Sequence, residues 1–234
     1  MDTRIENNYI RKIYRDKDIQ KMDAKIKMLG DTKLTTIKFM NLRLLTTFIV
    51  FIFFLYIMDF GYVFAPIIAV IYYYLFRYWL IELPLKRREQ KLDREALYFF
   101  EILTLTLESG HNLENSLEVT VFNVKNELSK EFKKALLEMK FGKSLNEALT
   151  GMKKRIPSET INDIILNITQ TNVFGNSILE TMYSQIDFLR EKQILEIKGQ
   201  INKIPNKISV ISVIFIIPLI LVLILGPFII KFFG

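Results

Sequence analysis

Two patterns of apolar positions divide the chain. The first is unbroken: Leu44 to Met58 carries no charge and reaches spanning length if Leu42 and a snorkelling Arg43 are counted. Phe60 to Ile81 contains only Arg77, near its end and beside Tyr78 and Trp79, and Ile208 to Ile230 has no charged residue over 23 positions. A helix needs roughly 20 apolar residues to cross a bilayer, so three membrane spans are predicted. The second pattern is amphipathic and fills the stretch from Glu82 to Lys207. Leu92, Ala96, Phe99, Phe100, Leu103 and Leu107 recur at helical spacing, as do Ile161, Ile164, Ile165 and Ile168. No alternating strand pattern competes. Ile194, Ile197, Ile201, Ile204 and Ile208 form a seam leading into the last apolar stretch, with Pro205 marking a break. The expected fold is all-α, an antiparallel helical bundle anchored by three transmembrane helices.

Charge gives these elements an orientation. Between the first two apolar stretches only Asp59 and Gly61 offer turn chemistry, so the two should form a tight hairpin that returns the chain to its starting side. Nearly all Lys and Arg lie before the hairpin or in the amphipathic region, and the tail has only Lys231. Positive-inside counting therefore places the N-terminus inside and the C-terminus outside. The expected organisation is a basic arm over 1–41, a transmembrane hairpin over 42–81 (42–58 and 60–81), a cytoplasmic helical domain over 82–207, a third span over 208–230 and an external tail over 231–234. The first apolar stretch starts too late, and is followed too soon by another, to read as a cleaved signal. Pro218 and Gly226-Pro227 are positions where the third span could kink or end.

Composition narrows the function. The chain has no Cys and one His, which removes disulfide frameworks, zinc clusters, thiol nucleophiles and His-based catalytic pairs. The net charge of +7 is uneven: residues 1–43 hold 11 Lys and Arg against 6 Asp and Glu, whereas residues 82–207 hold 19 against 18. A basic arm just before a span suits anionic lipid head groups, at about 1 kcal/mol per cation near the surface. Nucleic acid is not an expected partner, because no aromatic-basic platform or recognition motif accompanies the charge.

An internal repeat runs through the amphipathic region. Gly110 is followed by Asn112, Leu113, Ser116 and Leu117; Gly142 by Ser144, Leu145, Ala148 and Leu149; Gly175 by Ser177, Ile178, Thr181 and Met182. The glycines lie 32 and 33 residues apart, so helical hairpins of similar size follow one another. The pattern predicts helix corners: a left-handed Gly ends one helix and the residue two further on caps the next. Ser144 with Glu147, and Ser177 with Glu180, also fit a capping box. A phosphate cradle is the sharper alternative, but each corner has one Gly and no preceding strand.

These residues resemble the type II secretion system F-domain family, with the nearest likeness to single-domain TadC-like proteins of Tad/Flp pilus assembly. The resemblance rests on Leu97 to Gly110 (LYFFEILTLTLESG) leading into Asn112 to Leu117, on Phe141 to Leu149 (FGKSLNEAL), on Arg155-Ile156-Pro157 and on Thr171 to Ile178 (TNVFGNSI). It covers roughly residues 92–228, continuing through Leu189-Arg190 into the final apolar stretch. The resemblance implies an inner-membrane platform protein that gathers pilin or pseudopilin subunits and contacts a cytoplasmic secretion ATPase. It also implies no catalytic residue, no cofactor and no metal. With one copy of the helical domain where larger relatives carry two, the chain would pair with itself or with a sister F-domain protein.

His111 stands where the family more often has an aliphatic or small residue, and the basic arm has no counterpart in the family pattern, so neither takes a family role. His111 reads as an exposed corner residue, since no second ligand of its kind exists. Glu101 and Glu108 lie seven apart on one helix and read as a solvated or partner-facing edge. Two other classes compete. A small transporter or channel would place ionisable groups within its spans, and only Arg43 and Arg77 occur there, both near ends. A membrane-tethered enzyme would need a nucleophile-base or metal constellation, which the residues do not supply.

Overall fold

The computed structural model describes residues 16–30, 35–57, 60–174 and 178–233, and every regular element among them is helical. The chain divides into two compact units, Met1–Ile186 and Asp187–Gly234. In the first, α1 (Asp16–Lys27), α2 (Thr36–Ile57) and α3 (Gly61–Arg77) precede a π-helical turn over Tyr78–Glu82. They are followed by α4 (Leu83–Glu108), α5 (Leu113–Asn123), α6 (Glu127–Lys140), α7 (Leu145–Lys153) and α8 (Glu159–Phe174). The next helix, α9 (Ile178–Ile201), passes through the boundary between the units, and α10 (Lys203–Phe233) belongs to the second.

α2 and α3 pack against each other as an antiparallel pair. The face of α3 that meets α2 is built from small residues: Gly61, Ala65 and Ala69 are buried at spacings of four. Small side chains let two backbones approach closely where lipid offers no hydrophobic drive for association. Gly61 is the limiting contact, since a Cβ there would lie 2.6 Å from the backbone oxygen of Leu55. Its role is therefore close approach; the other predicted turn residue, Asp59, lies outside the described residues. The outer faces are apolar and exposed, with Phe48, Ile49, Phe53, Ile67, Val70 and Ile71 among the exposed side chains. An apolar surface of this extent marks a membrane or a partner.

Among the described residues two helices are long and apolar enough to cross a membrane, Thr36–Ile57 and Gly61–Glu108, and Ile211–Leu225 within α10 is a shorter apolar stretch. The first begins ahead of the sequence boundary at Leu42: Thr36, Phe39, Met40 and Arg43 form its buried foot. Against that foot packs α1, through a cluster of Met22, Ile26, Phe39, Met40 and Ile81. Part of the basic arm is thus a folded helix. Pro66 lies inside α3, where it removes one backbone hydrogen bond without ending the helix.

No break separates the second apolar stretch from the amphipathic region. Gly61–Glu108 is one helix of 48 residues, and the sequence boundary at Glu82 falls inside it, at the π turn. Beyond the turn, α4 is the spine of the bundle, packing on α5, α6 and α8. Leu92, Ala96, Phe99, Phe100, Leu103 and Leu107 are its buried face. Phe99 stacks on Phe132 of α6 with centroids 4.5 Å apart, and Phe100 meets the same ring edge-on at 6.2 Å. Burying side chains of this size contributes about 1.5–3 kcal/mol each. Ile161, Ile164, Ile165 and Ile168 of α8 complete the core with Ile156 and Met152.

In the second unit, α9 ends at Ile201, a turn at Asn202 intervenes, and α10 starts at Lys203. Pro205 thus falls in the first turn of α10, where helices accept it. The helix then runs on through Pro218, Gly226 and Pro227 to Phe233 without ending early.

Candidate functional site

The first two helix corners are built alike. Gly110 and Gly142 have φ of 90° and 95°, the left-handed conformation, and each closes a helix with an N–H bonded back to it, to Leu107 O at 3.0 Å and to Met139 O at 2.9 Å. Two residues on, Asn112 Oδ1 accepts the N–H of Asn115 at 2.9 Å and caps α5. Ser144 caps α7 through a complete box: its Oγ accepts the N–H of Glu147 at 3.3 Å, and Glu147 Oε2 accepts the N–H of Ser144 at 2.9 Å. The Ser144 backbone N–H and then its hydroxyl hold the Glu147 carboxyl below the usual glutamate range. Gly175 and Ser177 lie outside the described residues, and Ile178 opens α9 half-buried.

After each corner the chain turns inward. Leu113 is buried and Leu145 half-buried; Ser116 and Ala148 are fully buried, followed by buried Leu117, Leu149 and Met182. The hydroxyls of Thr171 and Thr181 lie 3.2 Å apart across the third corner, and Thr106 Oγ1 lies 3.4 Å from Ser116 O across the first. These two corners therefore tie the end of one helix to the start of the next.

A polar lock, absent from the sequence reading, holds the hairpins together. Arg88, buried in α4, donates to Glu127 Oε1 at 2.7 Å and Glu131 Oε1 at 3.0 Å on α6, and to the carbonyl of Arg155 at 2.8 Å after α7. It also donates to the carbonyl of Met28, so the segment after α1 joins the same guanidinium. Gly30, at φ 88°, brings its backbone so near that a Cβ would lie 3.2 Å from Arg88 Cζ. Glu131 takes a second cation, Arg155 Nε at 3.2 Å, and Arg155 continues to Glu138 at 2.8 Å. Burial pushes the Glu127 carboxyl up, but hydrogen bonds from Arg88 and Lys91 outweigh it and leave the group below its ordinary range. Lys143 first, then Arg155, hold Glu138 down against the effect of burial.

Within two turns further along α4, two carboxylates reach two helix starts. Glu95 Oε2 accepts the N–H groups of Glu127 and Leu128 at 2.8 and 3.1 Å, capping α6 from outside. Asp93 accepts the hydroxyl of Ser158, whose Oγ in turn accepts the Ile161 N–H and caps α8. Helical phase carried a signal for part of this. Arg88 lies four before Leu92, and Glu131 lies between Leu128 and Ala135 on the buried face of α6. Asp93 and Glu95 gave none.

The remaining singled-out residues do not converge. His111 is exposed beside Gly110, and Glu108 accepts a hydrogen bond from Tyr183 on α9. That contact raises the Tyr183 hydroxyl above the ordinary tyrosine range. Among the described residues, no three His, Asp or Glu side chains are grouped to hold a metal.

Capped corners, a buried ionic lock and one helix shared between apolar hairpin and bundle are the main features of this region. No curated protein and no solved structure matches the chain. A family model, Type II secretion system (T2SS), protein F, matches residues 99–226, beginning at the buried Phe99 of the spine and taking in all three corners. That match covers more than half of the chain, which therefore belongs to the type II secretion system protein F family.

Proposed function

We propose that this protein is an inner-membrane platform of a secretion or Tad/Flp-type pilus machine, of the TadC-like kind, with the bundle cytoplasmic. The hairpin α2–α3 and α10 supply three spans, N-terminus inside and C-terminus outside. The bundle receives movement from a cytoplasmic secretion ATPase, and the membrane portion engages pilin or pseudopilin subunits. The protein performs no chemistry itself, and it works as a homo-oligomer or beside a sister F-domain protein. The observation that carries this reading is the unbroken helix Gly61–Glu108, which joins apolar hairpin and locked bundle in one rigid element. A tagged full-length chain should co-purify from native membranes with a hexameric secretion ATPase. A deletion strain with undiminished pili and secretion would count decisively against the reading.

A further inference from the structure

A cavity of about 650 Å³ opens between α1 and the foot of the α2–α3 hairpin. Its volume falls within the range of small-molecule sites, roughly 300–1,000 Å³. Its walls are of two kinds. Lys21, Lys25, Arg43 and Arg77 supply four cations against one carboxylate, Asp18. Met22, Met28, Met40 and Leu85 supply an apolar floor that thioether side chains can reshape.

The place of the cavity along the hairpin points to its occupant. Arg43 and Arg77 are the charged residues nearest the uncharged lengths of α2 and α3 at the ends that meet α1. Tyr73 and Tyr74 also line the wall, and Tyr78 and Trp79 follow directly, the residues that favour the head-group level of a bilayer. The Arg43 guanidinium lies over the Tyr73 ring at 3.7 Å from its centroid, which fixes the cation at that depth. Lys25 and Arg77 share Glu82 at 2.5 and 3.2 Å, so part of the positive charge is already balanced. Lys21 has no carboxylate partner among the described residues and stands exposed at the rim.

We propose that this cavity binds the head group of an anionic phospholipid, with the phosphate among Lys21, Arg43 and Arg77 and the glycerol and first methylenes on the methionine floor. A free phosphate shares the anionic chemistry but makes no use of that floor, so the lipid is the occupant the two walls jointly fit. The lipid then fastens α1 to the hairpin. This site needs the chain to be in a membrane but is independent of any ATPase or pilin contact.

The test uses the purified full-length chain in a neutral detergent, titrated with dioctanoyl phosphatidylglycerol while its melting temperature is followed. A saturable rise of several degrees is expected, with none from dioctanoyl phosphatidylcholine or inorganic phosphate. Lys21→Gln should weaken the apparent Kd about fivefold, the effect of one cation worth about 1 kcal/mol near a membrane surface, without changing the lipid-free melting temperature. Ala24→Trp, which fills the cavity from the exposed side of α1 and removes no charge, should abolish the saturable response. An equal rise with phosphatidylcholine, a rise with inorganic phosphate alone, or an unchanged Kd in both variants would overturn the proposal. A chain that binds this lipid yet captures no ATPase would leave the site standing and sink only the platform reading.

Discussion

Arg88 and Glu131 form an ion pair at 3.0 Å with both side chains almost wholly removed from water, at 7% and 3% exposure. Such a pair adds modestly to stability, because desolvation offsets much of the attraction, but breaking one side strands the other charge. Arg88 is the worse residue to lose, since its one guanidinium bonds α6, the carbonyl before Ile156 and the segment after α1 at once.

Arg88→Met should therefore destabilise the folded protein by about 3–5 kcal/mol, read by denaturant titration in detergent. Glu131→Gln should cost about 1–3 kcal/mol, because Arg88 keeps Glu127 and its carbonyl partners. Equal losses in the two variants would show that the guanidinium is not the hub.

The glycines separate backbone strain from steric crowding. At Gly110 and Gly142 an added Cβ meets nothing within 4 Å, so Gly→Ala at either should cost only the left-handed backbone term, about 1–2 kcal/mol. Gly61→Ala instead drives a methyl into the backbone of α2, at a cost of about 1–3 kcal/mol in overpacking. Limited proteolysis should find the α2–α3 connection opened in Gly61→Ala and untouched in Gly110→Ala.

Caps make a smaller, local prediction. Asn112→Ala and Ser144→Ala should each cost about 1 kcal/mol, and faster amide exchange should be confined to the first turn of α5 and of α7 respectively. Exchange spreading through the whole bundle would mean that the corners are not independent.

Acid should loosen the lock. The Glu127 and Glu138 carboxyls are held below their ordinary value in the folded state, so their contribution is complete above the unfolded glutamate value, about pH 4–5. It is lost as pH falls through the depressed folded values. Melting temperature measured downward from pH 6 should therefore drop below that window, and Glu138→Gln should flatten the drop.

Much of the fold was legible because helices announce themselves by phase. Leu92, Ala96, Phe99, Phe100, Leu103 and Leu107 were read as one face and are all buried, and the all-α class followed from such runs. The corners at Gly110 and Gly142 were legible for a similar reason, since a left-handed turn favours Gly and a helix start favours Asn or Ser. Tertiary capping was not legible: nothing local distinguishes Glu95, which closes α6, from the neighbouring charges of α4. The continuity of Gly61–Glu108 was hidden too, because a switch from apolar to amphipathic composition reads as a boundary even where the backbone does not pause.

The π turn at Tyr78–Glu82 has a consequence for that continuity. Continued at ordinary helical spacing, the row begun by Gly61, Ala65 and Ala69 would reach Arg87 and Lys91; the side chains facing inward are instead Ile81, Arg88 and Leu92, one position later. The wide turn thus acts as a gear offset of about 100°, one residue's rotation. It lets a single rod show one flank to the span beside it and a different flank to the bundle. Removing one residue from Tyr78–Glu82 would spin the whole spine out of mesh, turning Leu92 and Phe99 to solvent while leaving every local sequence preference intact.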